Sequence, residues 1–299
     1  MNDLHASKHV SALAQRLKAL LPHEGTVTTS VADVSLMRVD HDTTPTAVFE
    51  EPAIVLALQG VKRGHLGDEV LSYGAGQGLV VSVPMSFQCD TVSTQPEQPM
   101  LAIHVRINLE TVREVVARMV DAGMSAPPAE APRAMAVLEL DAPLLALTHR
   151  LVDALSSRLD ASVLGPSLVR ELHYRVLQTP AGSCLRELST WQGRVGVVLR
   201  SIECLRAQLD QDWQVADLAR EAAMSVSAYH AAFKAVTGQT PMQYLKAARL
   251  HRARQLLTLT RRSSAEVAFD VGYQSAAQFS RDYKRQFGVP PSQDRGTPS

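Results

Sequence analysis

Cysteine is scarce in this chain. Its three thiols, Cys89, Cys184 and Cys204, are odd in number and lack CxxC spacing, which excludes a disulfide framework and a thiolate zinc site. Histidine pairing is missing too: no HxH occurs, and His65 and His104 stand isolated, so no metal or other cofactor is expected. There is no serine nucleophile elbow, phosphate loop or dinucleotide glycine fingerprint, and the chain is not expected to be an enzyme. No apolar run approaches the roughly 20 residues that span a bilayer. The start, MNDLHASKHV, lacks the basic-then-apolar pattern of a signal peptide. The expectation is a cytoplasmic protein with no membrane partner.

Net charge is absent as well, since 30 Lys+Arg balance 30 Asp+Glu over 299 residues. The balance conceals a division. Residues 194–299 carry 15 Lys+Arg against 9 Asp+Glu, and the remainder carries 15 against 21. A basic third on an acidic two-thirds favours a polyanionic partner for the basic part only.

What is present is a repeat inside that basic part. MSVSAYHAAFKAVTGQTP, from Met224 to Pro241, returns as QSAAQFSRDYKRQFGVPP, from Gln274 to Pro291. Ser225 matches Ser275, Tyr229 matches Phe279, Phe233 matches Tyr283, Lys234 matches Lys284, Gly238 matches Gly288 and Pro241 matches Pro291. Each copy reads as a capping serine, aromatics on one helical face, a lysine, a glycine stop and a proline. Short helices over 215–222 and from Ser263 (with Glu266 completing a capping box) precede the copies, making two helix-turn-helix units. Thr240-Pro241-Met242-Gln243 opens a linking helix to about Leu257. At 1.5 Å per residue this helix spans roughly 25 Å, which sets the two second helices on the order of 34 Å apart, one turn of B-DNA. One chain would then read two successive major-groove segments.

Upstream, residues 8–21 pattern as an amphipathic helix. From about Gly25 to Asn108 short β-rich runs alternate with glycine turns, as over 53–58, 69–73, 79–83 and 100–107, which suggests a small barrel or sandwich. A helix is expected over 109–121, a Pro/Ala-rich break over Ser125–Ala134, and further helices over 142–159 and 167–178. Leu147, Leu151, Leu155 and Leu159 form a ridge for which packing on the chain's own barrel and a homodimer seam stand as equal readings.

The blocks GQTPMQYLKAARLHRARQLL and VAFDVGYQSAAQFSRDYKRQFGVPP resemble the AraC/XylS family of bacterial transcription regulators. FEEPAIVLALQGVKR and LSYGAGQGLVVSV resemble the N-terminal domain of one branch of it. The resemblance implies an α+β chain with a cupin-like effector-sensing barrel and helical dimerisation element in residues 1–180. It implies an all-α double helix-turn-helix in residues 190–299. Double-stranded promoter DNA, RNA polymerase and a small-molecule effector are the partners it implies, with a homodimer left open and activation as the typical outcome.

Mapped onto this sequence, the DNA-facing positions are Ser227, His230 and Ala231 in the first unit. In the second they are Ser275, Ala276, Ala277, Gln278 and Arg281. Arg281 can donate bidentately to guanine O6 and N7. His230 suits a base edge, a phosphate or solvent. Gln278 suits either a base or a capping box with Ser275. Lys234, Lys284 and Arg285 suit phosphates, with solvated charge as the alternative. The alanines are mute beyond a methyl contact, so the second unit is expected to read more sequence than the first. For the effector, Phe87 and Cys89 are candidates at the barrel mouth. His104 and Arg106 alternate with an apolar face and would meet either a cavity or solvent.

Overall fold

Short β-branched runs punctuated by glycine become strands, and capped amphipathic runs become helices, in the computed structural model, which describes residues 2–67, 69–92, 94–124, 134–190, 193–260 and 262–294. Helix α1 (Asn2–Leu20) is followed by strands β1 (Gly25–Thr28), β2 (Val34–Val39), β3 (Thr46–Glu50), β4 (Ala53–Gln59) and β5 (Val61–Leu66). Next come β6 (Glu69–Gly74), β7 (Gln77–Val81), β8 (Met85–Val92) and β9 (Met100–Arg106), then α2 (Leu109–Asp121) and β10 (Met135–Glu139). Among the described residues the strands form two antiparallel sheets, ordered β1-β2-β9-β4-β7-β10 and β3-β8-β5-β6. Strand β4, apolar at six successive positions, sits between β9 and β7 and is buried on both faces. The fold is α+β, with a cupin-type β-domain ahead of a helical one.

Helices α3 (Ala142–Leu155) and α4 (Arg158–Leu177) pack on each other beside the barrel, and α5 (Ser183–Thr190) follows a single 3-10 turn at Pro180–Gly182. The sequence pattern suggested helices over 142–159 and 167–178. Instead, Ser156 ends α3 and the Ser157 side chain caps α4, so the second helix starts nine residues sooner and runs through Pro166. The leucine ridge is divided as a result. Leu147 and Leu151 are buried and Leu155 packs on the core, whereas Leu159, on the first turn of α4, is 71% exposed. The ridge on α3 is therefore internal packing. Strand β10 was not legible from the sequence; it pairs with β7 just after the Pro/Ala-rich stretch, of which 125–133 lie outside the described residues.

The C-terminal helices are α6 (Gly193–Ala207), α7 (Val215–Glu221), α8 (Val226–Thr237), α9 (Pro241–Leu259), α10 (Ser264–Asp270) and α11 (Ala276–Phe287). The caps fall on the residues the pattern singled out. Ser225 and Ser275 accept from the backbone of Ala228 and Gln278, while Thr240–Gln243 and Ser263–Glu266 form complete capping boxes. Leu218, Ala219, Tyr229, Phe233, Tyr244 and Leu245 do not close a core of their own; they join the barrel's. The second unit keeps a separate core of Leu250, Ala253, Leu257, Val267, Ala268, Val271, Phe279 and Tyr283.

Gly238 and Gly288 end the two equivalent helices with left-handed φ of 69° and 79°. A Cβ on Gly288 would meet open space, but one on Gly238 would run into Leu66 at the tip of the β5–β6 hairpin. Gly288→Ala should therefore cost only the left-handed strain, about 1–2 kcal/mol. Gly238→Ala should cost more and shift the urea midpoint further; equal midpoints would mean the hairpin tip does not bear on this cap.

Candidate nucleic-acid interface and ligand cavity

The outer face of α8 carries Ser227, Ala231 and Lys234 in the open, with His230 half-exposed at its side. On α11 the exposed set is Ala277, Gln278, Arg281, Lys284 and Arg285, and Ala276 is half-buried. Tyr229 and Phe233, and likewise Phe279 and Tyr283, turn the opposite faces inward. Neither outer face is covered by the barrel. Between them lies α9, whose 19 residues span about 28 Å at 1.5 Å per residue.

Ser275 is occupied as a helix cap, its Oγ accepting from Gln278 N at 3.3 Å. The capping box weighed for Gln278 is only half formed. Its side chain bonds Arg281 Nη2 (2.7 Å) and Asp282 Oδ2 (3.0 Å), charged partners that outcompete a backbone amide. Arg285 pairs with Asp282, and Lys246 of α9 reaches the same carboxylate at 2.7 Å. Asp282 and Lys246 escaped sequence reasoning. An acid in the middle of a basic helix, Asp282 among Arg281, Lys284 and Arg285, was the available sign. Among the described residues Lys234 and Lys284 have no carboxylate partner, which leaves both ammonium groups open to phosphates.

A second site lies where the barrel meets α9. A cavity of about 630 Å³ is lined from the barrel by Met37, Glu50, Lys62, Tyr73, Phe87, Cys89 and His104, among others. From α9 it is lined by His251, Arg254, Gln255, Thr258 and Leu259. Of the four sequence candidates, Phe87, Cys89 and His104 face it. Arg106 does not: two residues past His104 on the same face, it reaches the exposed end of β9 and pairs with Asp33. Inside, His104 Nε2 lies 2.8 Å from Glu50 Oε1. Burial pushes the Cys89 thiol and the Tyr73 hydroxyl up, so both stay neutral. Among the described residues the Lys62 Nζ hydrogen-bonds to the Met37 sulfur at 3.7 Å and has no carboxylate partner. It pairs in register with Tyr73 across the β5–β6 hairpin, so a lysine opposite a tyrosine on an inward face was the missed clue. Among the described residues no cluster of His, Cys, Asp or Glu could hold a metal ion.

His251 ties the two parts together. Its ring lies 5.4 Å from Phe49 of β3 and 5.0 Å from Phe287 of α11, and its Nε2 is 3.3 Å from Ser86 Oγ of β8. Burial, helped by the Arg254 charge, pushes its pKa down to about 4, so the imidazole is neutral here. Arg206 pairs with Glu51 of the barrel at 3.0 Å and lies over the Phe49 ring.

Two helix-turn-helix units on one chain, spaced by a capped helix and backed by a cupin-type barrel, define a DNA-binding regulator of transcription. A model of the AraC-type transcriptional regulator N-terminus matches residues 30–184, and a helix-turn-helix domain model matches residues 218–297. The chain belongs to the AraC-type transcriptional regulators, a non-enzymatic family. It is similar to an AraC-like transcription regulator of Streptomyces lividans, 39% identical over 103 residues, 34% of each chain. It is also similar to VirF, the virulence regulon transcriptional activator of Yersinia enterocolitica, 33% identical over 87 residues, 29% of this chain and 32% of that one. The matched segment thus spans about a third of these curated relatives. In structure it resembles ToxT of Vibrio cholerae, solved with an unsaturated fatty acid, at a TM-score of 0.56 and 11% identity over 91% of this chain and 96% of that one. At that identity the likeness is one of fold. No helix among the described residues is long and apolar enough to cross a membrane.

Replacing Lys234 or Lys284 with alanine should weaken binding to all DNA sequences alike. Each should lower the slope of log affinity against log salt by about 0.9. Titrations of one duplex at several salt concentrations read this directly, and an unchanged slope would take that lysine off the phosphate backbone.

Proposed function

We propose that the chain is an effector-responsive transcription activator that grips promoter DNA with α8 and α11 in successive major-groove segments. The observation that carries this reading is the pair of capped, outward-facing helices that α9 joins, each backed by its own aromatics. Ser227, His230, Ala231 and Lys234 meet DNA from the first unit. Ser275, Ala276, Ala277, Gln278, Arg281, Lys284 and Arg285 meet it from the second, with Arg281 foremost. Residues 1–180 sense and residues 190–299 bind DNA. The protein acts in the cytoplasm and works through RNA polymerase, a reading supported by the likeness to VirF, a transcriptional activator. Leu159, Val163 and Leu164 of α4 present the open apolar surface on which two copies would pair. Footprinting of a bound promoter fragment should protect two stretches about one helical turn apart on one face. A single protected groove segment would overturn the two-headed grip.

The effector sits in the cavity between barrel and α9. Its class is an apolar body bearing an anion: Met37, Val55, Leu79 and Phe87 offer apolar walls, and Lys62 offers an ammonium with no carboxylate partner among the described residues. The unsaturated fatty acid bound to ToxT is of that class. The first half of α9, with Tyr244, Leu245 and Ala248, belongs to the barrel's core, while the cavity is lined by its second half, whose Ala253 and Leu257 belong to the second unit's core. A ligand that prefers one seating of that half shifts the population of DNA-competent chains. Apolar carboxylates should raise the thermal midpoint and their neutral amides should not, and Lys62→Met should weaken acid binding about tenfold. Equal shifts from acid and amide would sink the anionic assignment.

A further inference from the structure

Arg281 leaves the outer face of α11 with Nη2 donating to Gln278 Oε1 at 2.7 Å. The same amide turns its Nε2 to Asp282 Oδ2 at 3.0 Å. Groups of opposite charge hold its two ends, and this fixes which way it points: only the oxygen can accept from a guanidinium, and only the nitrogen can donate to a carboxylate. Asp282 is itself buried and paired. It is 4% exposed and receives Lys246 Nζ from α9 at 2.7 Å, and Arg285 pairs with it from the next turn. Burial alone would raise its carboxyl, but hydrogen bonds from Lys246 and Gln278, with the charges of Lys246 and Arg285, outweigh this and hold it below the usual carboxylate range.

The repeat supplies an internal comparison. In the first unit the positions equivalent to Gln278, Arg281 and Asp282 are Ala228, Ala231 and Ala232. All three members are absent together, as expected of parts that have a use only in company.

We propose that Gln278 is a positioning residue for Arg281: anchored on buried Asp282, it holds the guanidinium in the pose that meets a guanine edge, and it reads no base itself. The inference rests on the reading that α11 enters the major groove with Arg281 foremost. A loose arginine surrenders much rotamer freedom on docking, and one already aligned surrenders less. A guanidinium has five N–H donors, so one given to Gln278 still leaves a pair for O6 and N7.

The test uses the full chain and the duplex it selects from a random pool, with every single base-pair variant of that duplex. Arg281→Ala should lose about 5- to 100-fold of the preference at its own base pair. Gln278→Ala should lose roughly 3- to 10-fold at that same pair, with the salt slope unchanged. In an Arg281→Ala background it should lose nothing further there. Gln278→Glu keeps an acceptor for Arg281 but sets a carboxylate against Asp282 where the amide nitrogen donated, so with the anchor gone it should lose the preference at that same pair as Gln278→Ala does. Gln278 is exposed, so Gln278→Ala should keep the parent unfolding midpoint. A Gln278→Ala variant that alters a different base pair, or none, overturns the positioning role while leaving Arg281 a reader. An Arg281→Ala variant with every preference intact overturns the positioning role together with the reading beneath it.

Discussion

The ring of Phe49 lies against Tyr244 and His251, two helical turns apart on one face of α9, with Arg206 over it and Glu51 gripping that arginine. Nearby, Gln239 Nε2 donates to the Ser86 carbonyl at 2.6 Å and Ala134 N donates to the Val236 carbonyl at 3.0 Å. This seat sets the angle at which the linking helix leaves the barrel, and both reading helices hang from that helix. Aromatic packing at such a junction is directional, because tilted and edge-on rings tolerate little sliding. The two halves of the molecule are therefore related by defined geometry rather than by a tether.

Charge is arranged around the seat by the same economy. The excess of Lys and Arg in the last third is not spread evenly: Arg206, Arg254, Arg262 and Lys246 are used internally, against Glu51, Asp294, Asp270 and Asp282. Among the cations left outside are Lys234 on the outer face of α8 and Arg281 and Lys284 on that of α11. A basic composition thus overstates the number of cations available to a polyanion, and the half-buried carboxylates identify which ones are withheld.

Local signals made the helical third legible from sequence. Serine caps, capping boxes, glycine stops and alternating aromatics act within one or two turns, and Ser225, Ser275, Thr240 and Ser263 cap where the pattern located them. The barrel was legible as a class, since β-branched runs and glycine turns require short strands. Its strand order was not, because pairing β2 with β9 or β7 with β10 joins residues far apart in sequence. The cavity was half legible for the same reason. Alternation along β9 left His104 to a cavity or to solvent, and nothing local tells that β3, β5 and α9 converge on it, so Glu50, Lys62 and His251 went unnoticed. Arg106 obeyed the alternation and still missed, because a strand ends where its neighbours end. The division of the leucine ridge turned on one serine, Ser157, whose capping role is visible only once Leu159 is seen facing outward.

The two helix-turn-helix units look alike in sequence yet differ in what their interiors belong to. The first shares one uninterrupted apolar interior with the barrel, whereas the second has a small one of its own, joined through α9, Phe49 and Phe287. In terms of cooperative unfolding the chain then divides unequally: the barrel and first unit open as one block, and the second can open alone at lower free energy. Amide hydrogens in α10 and α11 would exchange ahead of those in α8. Half of an apparently symmetric reading head is in this sense a detachable module, with the ligand cavity at its hinge.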